Sequence, residues 1–147
     1  MSISVVPMSI EHHWGIVQEK IGLFMSEDTR GIVAIEDDGT VSGSIVFQNW
    51  AYSSAMVHIW VENPMVIRRG LLSEACRYFF DVCGKTVMVG MTVADNYDAL
   101  KFIAHVGFKE KYRIKDGFKE GVDWVLQEAR REDLSRWIKS KEEVTYG

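Results

Sequence analysis

The first third of the chain moves from the hydrophobic pattern of a strand to that of a helix. The run SISVVPM, at residues 2–8, is apolar and rich in β-branched residues, and it predicts a first strand with Pro7 near its end. In residues 9–25 apolar side chains recur every three or four positions, which predicts an amphipathic helix with Ser9 as its N-cap. The residues expected to face the core are Ile10, Trp14, Val17, Ile21 and Phe24.

The middle of the chain predicts a hairpin, a third strand and a long helix. Two β-rich runs, residues 31–35 and 41–47, flank the turn sequence DDGT. Residues 55–62, AMVHIWVE, follow as a strand that Pro64 ends. A broad apolar face then predicts a helix that begins after Gly70 and closes at Gly84. Its inward residues are expected to be Leu71, Leu72, Ala75, Tyr78, Phe79 and Val82.

The last half of the chain completes an alternating order of strands and helices. Residues 85–94 are almost all apolar or β-branched, which predicts a central strand buried on both faces. Residues 96–107 predict a shorter helix, and residues 109–114 and 122–129 predict a closing hairpin before a charged tail, 131–147. The order β-α-β-β-β-α-β-α-β-β predicts one α/β (α+β) domain over residues 1–147, with a sheet covered by helices.

Composition and charge narrow the function classes. The chain has 147 residues, 47% of them hydrophobic and 26% charged, as in one soluble globular domain. A net charge of −4 argues against general nucleic-acid binding. No apolar run approaches the ~20 residues of a membrane helix, and the first residues lack the features of a signal peptide. We therefore expect a cytoplasmic protein that binds neither nucleic acid nor membrane.

Two cysteines, Cys76 and Cys83, lie seven residues apart on the predicted long helix. At ~1.5 Å of rise per residue their Cα atoms are too far apart for a disulfide. We interpret both as small core residues, with a catalytic thiol as the alternative. The adjacent histidines of the EHH run at residues 11–13 point to different helix faces, so we expect no metal site.

Three segments carry a resemblance to a known family. They are the strand–loop–helix of residues 58–80, the buried strand of residues 86–94, and the segment NYDALKFIAHVGFKEKYR, residues 96–113. In the third, Asn96 precedes Ala99 by three residues, and a Gly-Phe pair ends the helix. The chain resembles the GNAT family of acyl-CoA-dependent N-acetyltransferases over about residues 3–133. It most resembles small phage or bacterial members of the subgroup that acetylates ribosomal-protein N-termini.

The resemblance implies a single domain with a mixed, mostly antiparallel sheet that has helices on both faces. It also implies acetyl-CoA as the acetyl donor and an amine as the acceptor. In the family, backbone N–H groups of the loop before the long helix bind the coenzyme A pyrophosphate, as helix N-termini generally bind anions. The residues implied to bind here are Ile67, Arg68, Arg69, Gly70, Leu71 and Leu72.

The loop departs from the family pattern, which is Gln or Arg, two residues, Gly, one residue, and Gly or Ala. With Gly70 at the last position, Arg68 stands on the first glycine and Met65 on the Gln or Arg. A charged side chain at Arg68 or Arg69 can still bond a phosphate. The alternatives are that both arginines are solvated charges at an ordinary loop, or that coenzyme A binding has been lost.

Acetyl transfer needs a proton acceptor, a donor to the thioester oxygen and a proton source for the thiolate. The resemblance implies a backbone N–H near Trp60 or Val61 as the donor. The tyrosine that often protonates the thiolate would stand at Ile103, so it is missing here. Tyr97, Tyr112 or a water could substitute, but spacing supports none of them.

Candidate bases lie on the strand before the loop. His58, Trp60 and Glu62 share one face, because side chains alternate along a strand. His58 titrates near neutral pH and Glu62 lies at the strand end, so both are predicted as catalytic residues. The alternatives are that His58 is a sheet residue whose hydrogen bonds are all made within the fold, and that Glu62 is a solvated carboxylate.

Asn96 and Phe102 complete the predicted cofactor-binding set. Asn96 suits a side chain that bonds the cofactor at a strand-to-helix turn, or one that only caps the helix. The acceptor would meet the first helix, the loop of residues 24–30 and the closing hairpin, and the acidic net charge favours a cationic amine. A homodimer through the last hairpin or Trp137 is a further expectation. A catalytically degenerate coenzyme A-binding or protein-interaction module is the alternative function.

Overall fold

The computed structural model describes residues 2–138, and these form a seven-stranded sheet of order β1-β2-β3-β4-β5-β7-β6. The strands are β1 Ile3–Pro7, β2 Arg30–Glu36, β3 Val41–Gln48, β4 Ser54–Val61, β5 Val87–Val93, β6 Lys109–Lys119 and β7 Val122–Arg130. The helices are α1 Trp14–Ile21, α2 in three consecutive segments, Ile67–Leu71, Leu72–Cys76 and Arg77–Val82, α3 Tyr97–Val106, and a 3₁₀ helix, Arg131–Trp137. The predicted order of strands and helices is confirmed.

The sheet is antiparallel at every strand pair except β4 with β5. That parallel pairing covers only three residues of each strand and ends at Met56 and Val89. β4 nevertheless continues to Val61 and β5 to Val93. The two central strands therefore separate over more than half their length, which leaves a cleft in the middle of the sheet.

Helices cover both faces of the sheet, as predicted. One face packs on α2 and α3, and its buried core includes Val57 of β4, Met88 of β5 and Phe79 of α2. The other face packs on α1, where Trp14 and Val17 meet buried valines of β2 and β3. Since side chains alternate along a strand, odd-numbered residues of β4 face α2 and even-numbered residues face α1.

Helix α1 is shorter than the hydrophobic pattern predicts. It begins at Trp14 and ends at Gly22, which has a left-handed φ of 75°. Ser9 accepts a hydrogen bond from the His12 N–H in a preceding turn, so it is not the helix N-cap. Phe24 lies beyond the stop and is 87% exposed, and Ile10 and Val82 are also exposed. Ile10 and Phe24 lie outside α1, and Val82 is the last residue of α2, so the helical spacing of these apolar residues does not bury them.

The charged tail contributes to the core, which its composition did not indicate. Residues 131–137 form a 3₁₀ helix whose Leu134 is fully buried. The Trp137 indole N–H donates to the Val106 carbonyl of α3 at 2.6 Å. Trp137 thus packs against the core of its own chain. A homodimer through the last hairpin or Trp137 stays a prediction. The rest of the predicted tail, residues 139–147, lies outside the described residues.

Both cysteines lie in or beside α2 with free thiols. Cys76 is buried, and burial raises the pKa of its thiol to about 12. A thiol with that pKa holds almost no thiolate at neutral pH, so it is a poor nucleophile. The core interpretation of Cys76 is confirmed. No helix within residues 2–138 has the length and apolar character needed to cross a membrane.

Candidate active site

The separation of β4 and β5 opens a cleft of about 490 Å³, here called the β4–β5 cleft. Strand residues from both sides line it, together with residues from the ends of α1 and α3 and from β7. The lining residues are Lys20, Ile21, Gly22, Leu23, Met56, Val57, His58, Ile59, Trp60, Gly90, Met91, Thr92, Val93, Asn96, Ala99, Ile103, Phe108 and Trp124.

Backbone N–H groups of β4 point into this cleft. The Glu62 N–H donates to the Ser42 carbonyl of β3 at 2.8 Å, and the β3–β4 register is unbroken along β4. In an antiparallel pair every second residue bonds its neighbour, so Trp60 also directs its N–H at β3. Ile59 and Val61 direct theirs towards β5, which has diverged. Of the two expected backbone donors, Val61 directs its N–H towards β5 and Trp60 towards β3, and the role of either as a donor stays a prediction.

The cleft reaches both faces of the sheet. On the α3 side it is lined by Ile59 of β4 and by Asn96, Ala99 and Ile103 at the start and middle of α3. On the α1 side it is lined by even-numbered residues of β4 and by the end of α1. A molecule held on one side of the sheet can therefore meet a second molecule from the other side.

His58 lies in the cleft wall on the α1 side. It is half-buried, and burial lowers the pKa of its imidazole below the ordinary value. Burial disfavours the charged form of histidine, so His58 is neutral at pH 7 and can accept a proton. Its position and protonation state both suit a general base.

Glu62 lies on the same face as His58 and Trp60, as predicted, but outside the cleft lining. Its side chain is 62% exposed, and its carboxylate is 4.0 Å from Lys20 Nζ. The Lys20 ammonium also lies 5.8 Å from the centre of the Trp60 ring. Glu62 is therefore less well placed than His58 to take a proton from a molecule inside the cleft.

Asn96 caps α3 and also lines the cleft. Its side-chain oxygen accepts the Ala99 N–H at 3.2 Å, which is the N-cap bond. Ile103 lies in the lining, where the tyrosine of the family would stand. Tyr97 and Tyr112 are 76% and 67% exposed and do not line the cleft. Neither tyrosine is placed to replace the missing proton donor.

The loop before α2 is closed into a turn of helix. The Val66 N–H donates to the Asn63 carbonyl at 3.1 Å, and the Ile67 N–H donates to the Pro64 carbonyl at 3.2 Å. The Met65 N–H is bonded to the Asn63 side chain at 3.0 Å. Three N–H groups of this loop are thus satisfied within the chain. The Ile67 N–H, predicted to bind the cofactor, is one of them.

Gly70 interrupts the helix with φ 115° and ψ −7°, a conformation that favours glycine. This agrees with the prediction that a glycine is needed at this position. The side chains of Ile67, Leu71 and Leu72 are buried in the core, so only their backbone atoms could reach a ligand. Arg68 and Arg69 are exposed on the loop.

Phe102 is placed apart from the β4–β5 cleft. It is partly buried against the core and lines a second cavity of about 350 Å³. That cavity lies between the loop, α3 and the 3₁₀ helix. Its other lining residues are Pro64, Met65, Ile67, Arg68, His105, Val106 and Trp137. Phe102 and Arg68 are therefore brought together, but away from His58.

Several cleft residues had no signal in the sequence. Lys20 lies at the end of α1, Met91 and Thr92 on β5, and Trp124 on β7. They come from three elements far apart in the chain, and each fits an ordinary helix or strand pattern. Only the order of strands in the sheet brings them together.

Comparisons with known proteins identify the fold. No family model matches the chain, and no curated protein matches it. Among solved structures, mutant forms of the spermidine/spermine N-acetyltransferase SpeG from Vibrio cholerae match with a TM-score of 0.72 and 12% identity, over 92% of this chain and 98% of that one. A putative GNAT-family acetyltransferase from Desulfovibrio desulfuricans matches with a TM-score of 0.71 and 15% identity, over 88% and 99%.

A putative acetyltransferase from Acinetobacter baylyi matches with a TM-score of 0.70 and 13% identity, over 88% of this chain and 93% of that one. Each match spans nearly the whole of both chains, so the likeness concerns the complete domain. The chain therefore has the fold of the GNAT acetyltransferases.

Proposed function

We propose that the protein is an acetyl-CoA-dependent N-acetyltransferase that transfers acetyl directly to an amine. The observation that carries the proposal is the β4–β5 cleft, whose lining includes Ile59, with its N–H on the β5 side of β4, and the desolvated His58. The GNAT fold supports it, since the proteins with similar structures include N-acetyltransferases by name.

The residues present fit acetyl-CoA in the cleft more fully than at the loop. Bound there, acetyl-CoA would supply a thioester carbonyl to be attacked. Ile59 would donate its backbone N–H to that oxygen, and Asn96 also lines the cleft. Gly70 would let the loop backbone approach the pyrophosphate, but Ile67 would first have to release its bond to Pro64.

The chain's own residues account for the transfer as follows. His58 accepts the proton of the acceptor amine as the amine nitrogen bonds the acetyl carbon and the carbon–sulfur bond breaks. The Ile59 N–H stabilises the negative charge that develops on the thioester oxygen. The leaving thiolate takes a proton from the solvent, because neither Tyr97 nor Tyr112 lines the cleft.

Calorimetry with acetyl-CoA, followed by a thiol-release assay over a panel of amines, tests this function. We expect saturable binding and release of free thiol that depends on the amine. No heat of binding at millimolar acetyl-CoA would overturn the proposal. Gly70→Trp is a second test, since an unchanged affinity for coenzyme A would show that the loop is wrongly assigned.

The closed loop supports a second candidate, a coenzyme A-binding or protein-interaction module without catalysis. Loop N–H groups that bond within the chain and an isoleucine at the tyrosine position are what a degenerate enzyme would show. Binding of acetyl-CoA without turnover of any amine would favour this candidate. Amine-dependent thiol release would exclude it.

A further inference from the structure

The mouth of the cleft on the α1 side is the place where an acceptor would enter. Register fixes which strand residues face it. Met91 and Val93 lie on the opposite face of β5 from Met88, which packs on α2, and Trp124 pairs directly with Val93. We define the α1-side mouth as these residues with their partners on α1 and β4. They are Lys20, Leu23, Met56, His58, Trp60, Met91, Val93 and Trp124.

The α1-side mouth is apolar and carries one formal charge, which is positive. Within residues 2–138, Lys20 is the only charged residue that lines the cleft, and no carboxylate does. The nearby Glu62 carboxylate lies outside the lining and faces Lys20 at 4.0 Å. The net charge of −4, which favoured a cationic acceptor, is therefore located elsewhere on the molecule.

This charge distribution disfavours an acceptor with more than one ammonium group. Each additional ammonium group that moves from water into the mouth loses hydration free energy. No carboxylate in the cleft lining offsets that loss with an ion pair. Lys20 adds repulsion, and its ammonium already occupies a position over the Trp60 ring. The ring is thus less available for a second cation.

The α1-side mouth favours an acceptor whose carbon skeleton is apolar. Two indole rings, Trp60 and Trp124, and the Met56, Met91 and Leu23 side chains offer apolar surface. Burial of apolar ligand surface there favours binding in proportion to the area removed from water. The Phe118 ring stacks edge-on against Trp124 at 5.4 Å, which helps to hold that indole in place.

We infer that the acceptor is a monoamine with an apolar, aromatic-sized body and no second positive charge. The inference rests on the proposed function and names the substrate class of its site. It separates this chain from the spermidine/spermine N-acetyltransferase of similar fold.

The test compares 2-phenylethylamine with spermidine on the full chain, by thiol release with acetyl-CoA and by calorimetry of each amine. We expect kcat/KM to be at least about tenfold higher for 2-phenylethylamine, and its Kd to be lower by a similar factor. Equal or better use of spermidine would overturn the inference. So would failure of both amines to bind.

A charge reversal with a matched control sharpens the test. Lys20→Glu should lower the preference for 2-phenylethylamine over spermidine by about tenfold, because the mouth then carries a carboxylate. Lys101→Glu makes the same change on the exposed face of α3 and should leave the preference unchanged. An equal effect of both variants would show that the net charge of the protein, and not the mouth, sets the preference.

Calorimetry separates failure of this inference from failure of the proposed function. If 2-phenylethylamine binds more tightly than spermidine but no amine releases thiol, the acetyltransferase proposal fails and the acceptor assignment fails with it, while the preference of the mouth for a monoamine ligand is upheld. If amines release thiol and spermidine is the best acceptor, the acetyltransferase proposal stands and the inference fails.

Discussion

The strand residues that border the β4–β5 cleft and the loop before α2 were both expected to bind the cofactor, but their backbone N–H groups differ in hydrogen bonding. In the cleft, Ile59 and Val61 turn their N–H groups towards open space because β5 has diverged. In the loop, Val66 and Ile67 give their N–H groups to the carbonyls of Asn63 and Pro64. One region is arranged to bind a ligand as it stands, and the other would have to open first.

The difference has a local cause in the loop and a non-local cause in the cleft. An Asn–Pro pair at residues 63–64 favours an early helix start, with the Asn63 side chain as cap and Pro64 in the first turn. In the cleft, β3 holds alternate residues of β4, so the remaining N–H groups cannot turn back into the strand. The sheet therefore holds the unpaired N–H groups of β4 in fixed directions, whereas the N–H groups of the loop bond to carbonyl groups within the loop.

Loss of the base should have the largest effect. His58→Gln keeps a polar side chain but removes the group that accepts the proton, so kcat/KM for any amine should fall by about 10²–10⁴-fold. Thiol release measures it. Glu62→Gln is the matched control on the same strand face and should change kcat/KM little, since Glu62 is exposed outside the cleft. A larger loss in Glu62→Gln would reverse the two assignments.

Gly70→Ala should destabilise the fold by about 1–2 kcal/mol, the cost of a left-handed conformation for a residue with a Cβ. The added Cβ would meet only Val5, at 3.7 Å, so the effect is conformational and not a clash. Gly15→Ala in α1 is the control, because its Cβ meets nothing within 4 Å and its φ is not positive. Urea unfolding should show loss for the first and no loss for the second.

Two substitutions at Asn96 separate its role as the N-cap of α3 from its predicted role in cofactor binding. Asn96→Ala removes the cap of α3 and should lower the free energy of unfolding by about 1 kcal/mol. Asn96→Asp keeps a capping oxygen and should keep most of that stability. If Asn96→Asp nevertheless weakens acetyl-CoA binding in calorimetry, the side chain also contacts the cofactor. Equal affinity would assign it to capping alone.

The pH dependence of stability should report the burial of His58. Its pKa is lower in the folded state than in the unfolded state, so the unfolded state binds more protons below about pH 6.5. Stability from this group is present above that pH and is lost as the pH falls. Urea unfolding at pH 7 and pH 5 should show a smaller loss in His58→Gln than in the unmodified chain. An equal loss would show that His58 is not desolvated.

Arg68→Gln should have the smallest effect. Arg68 is exposed on the closed loop, and an exposed ion pair contributes at most about 1 kcal/mol, so the Kd for coenzyme A should rise no more than about fivefold. Calorimetry at low salt gives the value. A loss of a hundredfold would mean that the loop, and not the cleft, provides most of the affinity.

Local signals in the sequence predicted most of the fold. The sequence predicted the DDGT hairpin and the order of strands and helices along the chain. It also predicted helix ends or turns at Gly70, Gly84 and Gly107, which have positive φ. Each of these features depends on residues that are neighbours in the chain. The stop of α1 at Gly22 was missed because an apolar period continued past it. Leu134 was missed because its neighbours are charged and only tertiary packing buries it.

The candidate site was predictable only in part. The common face of His58, Trp60 and Glu62 follows from strand alternation alone. The exposure of Glu62, the desolvation of His58 and the lack of a paired β5 residue beside Ile59 depend on where β5 separates from β4. That separation is a property of the whole sheet, and no residue pattern along one strand encodes it.

Amide hydrogen exchange with and without acetyl-CoA tests the central claim, that the β4–β5 cleft is the cofactor site, most directly. The account predicts that acetyl-CoA slows exchange at Ile59 and Val61, whose N–H groups face the cleft, and leaves Trp60 unchanged because β3 already protects it. Unchanged exchange at Ile59 and Val61 in the presence of bound acetyl-CoA would contradict the account.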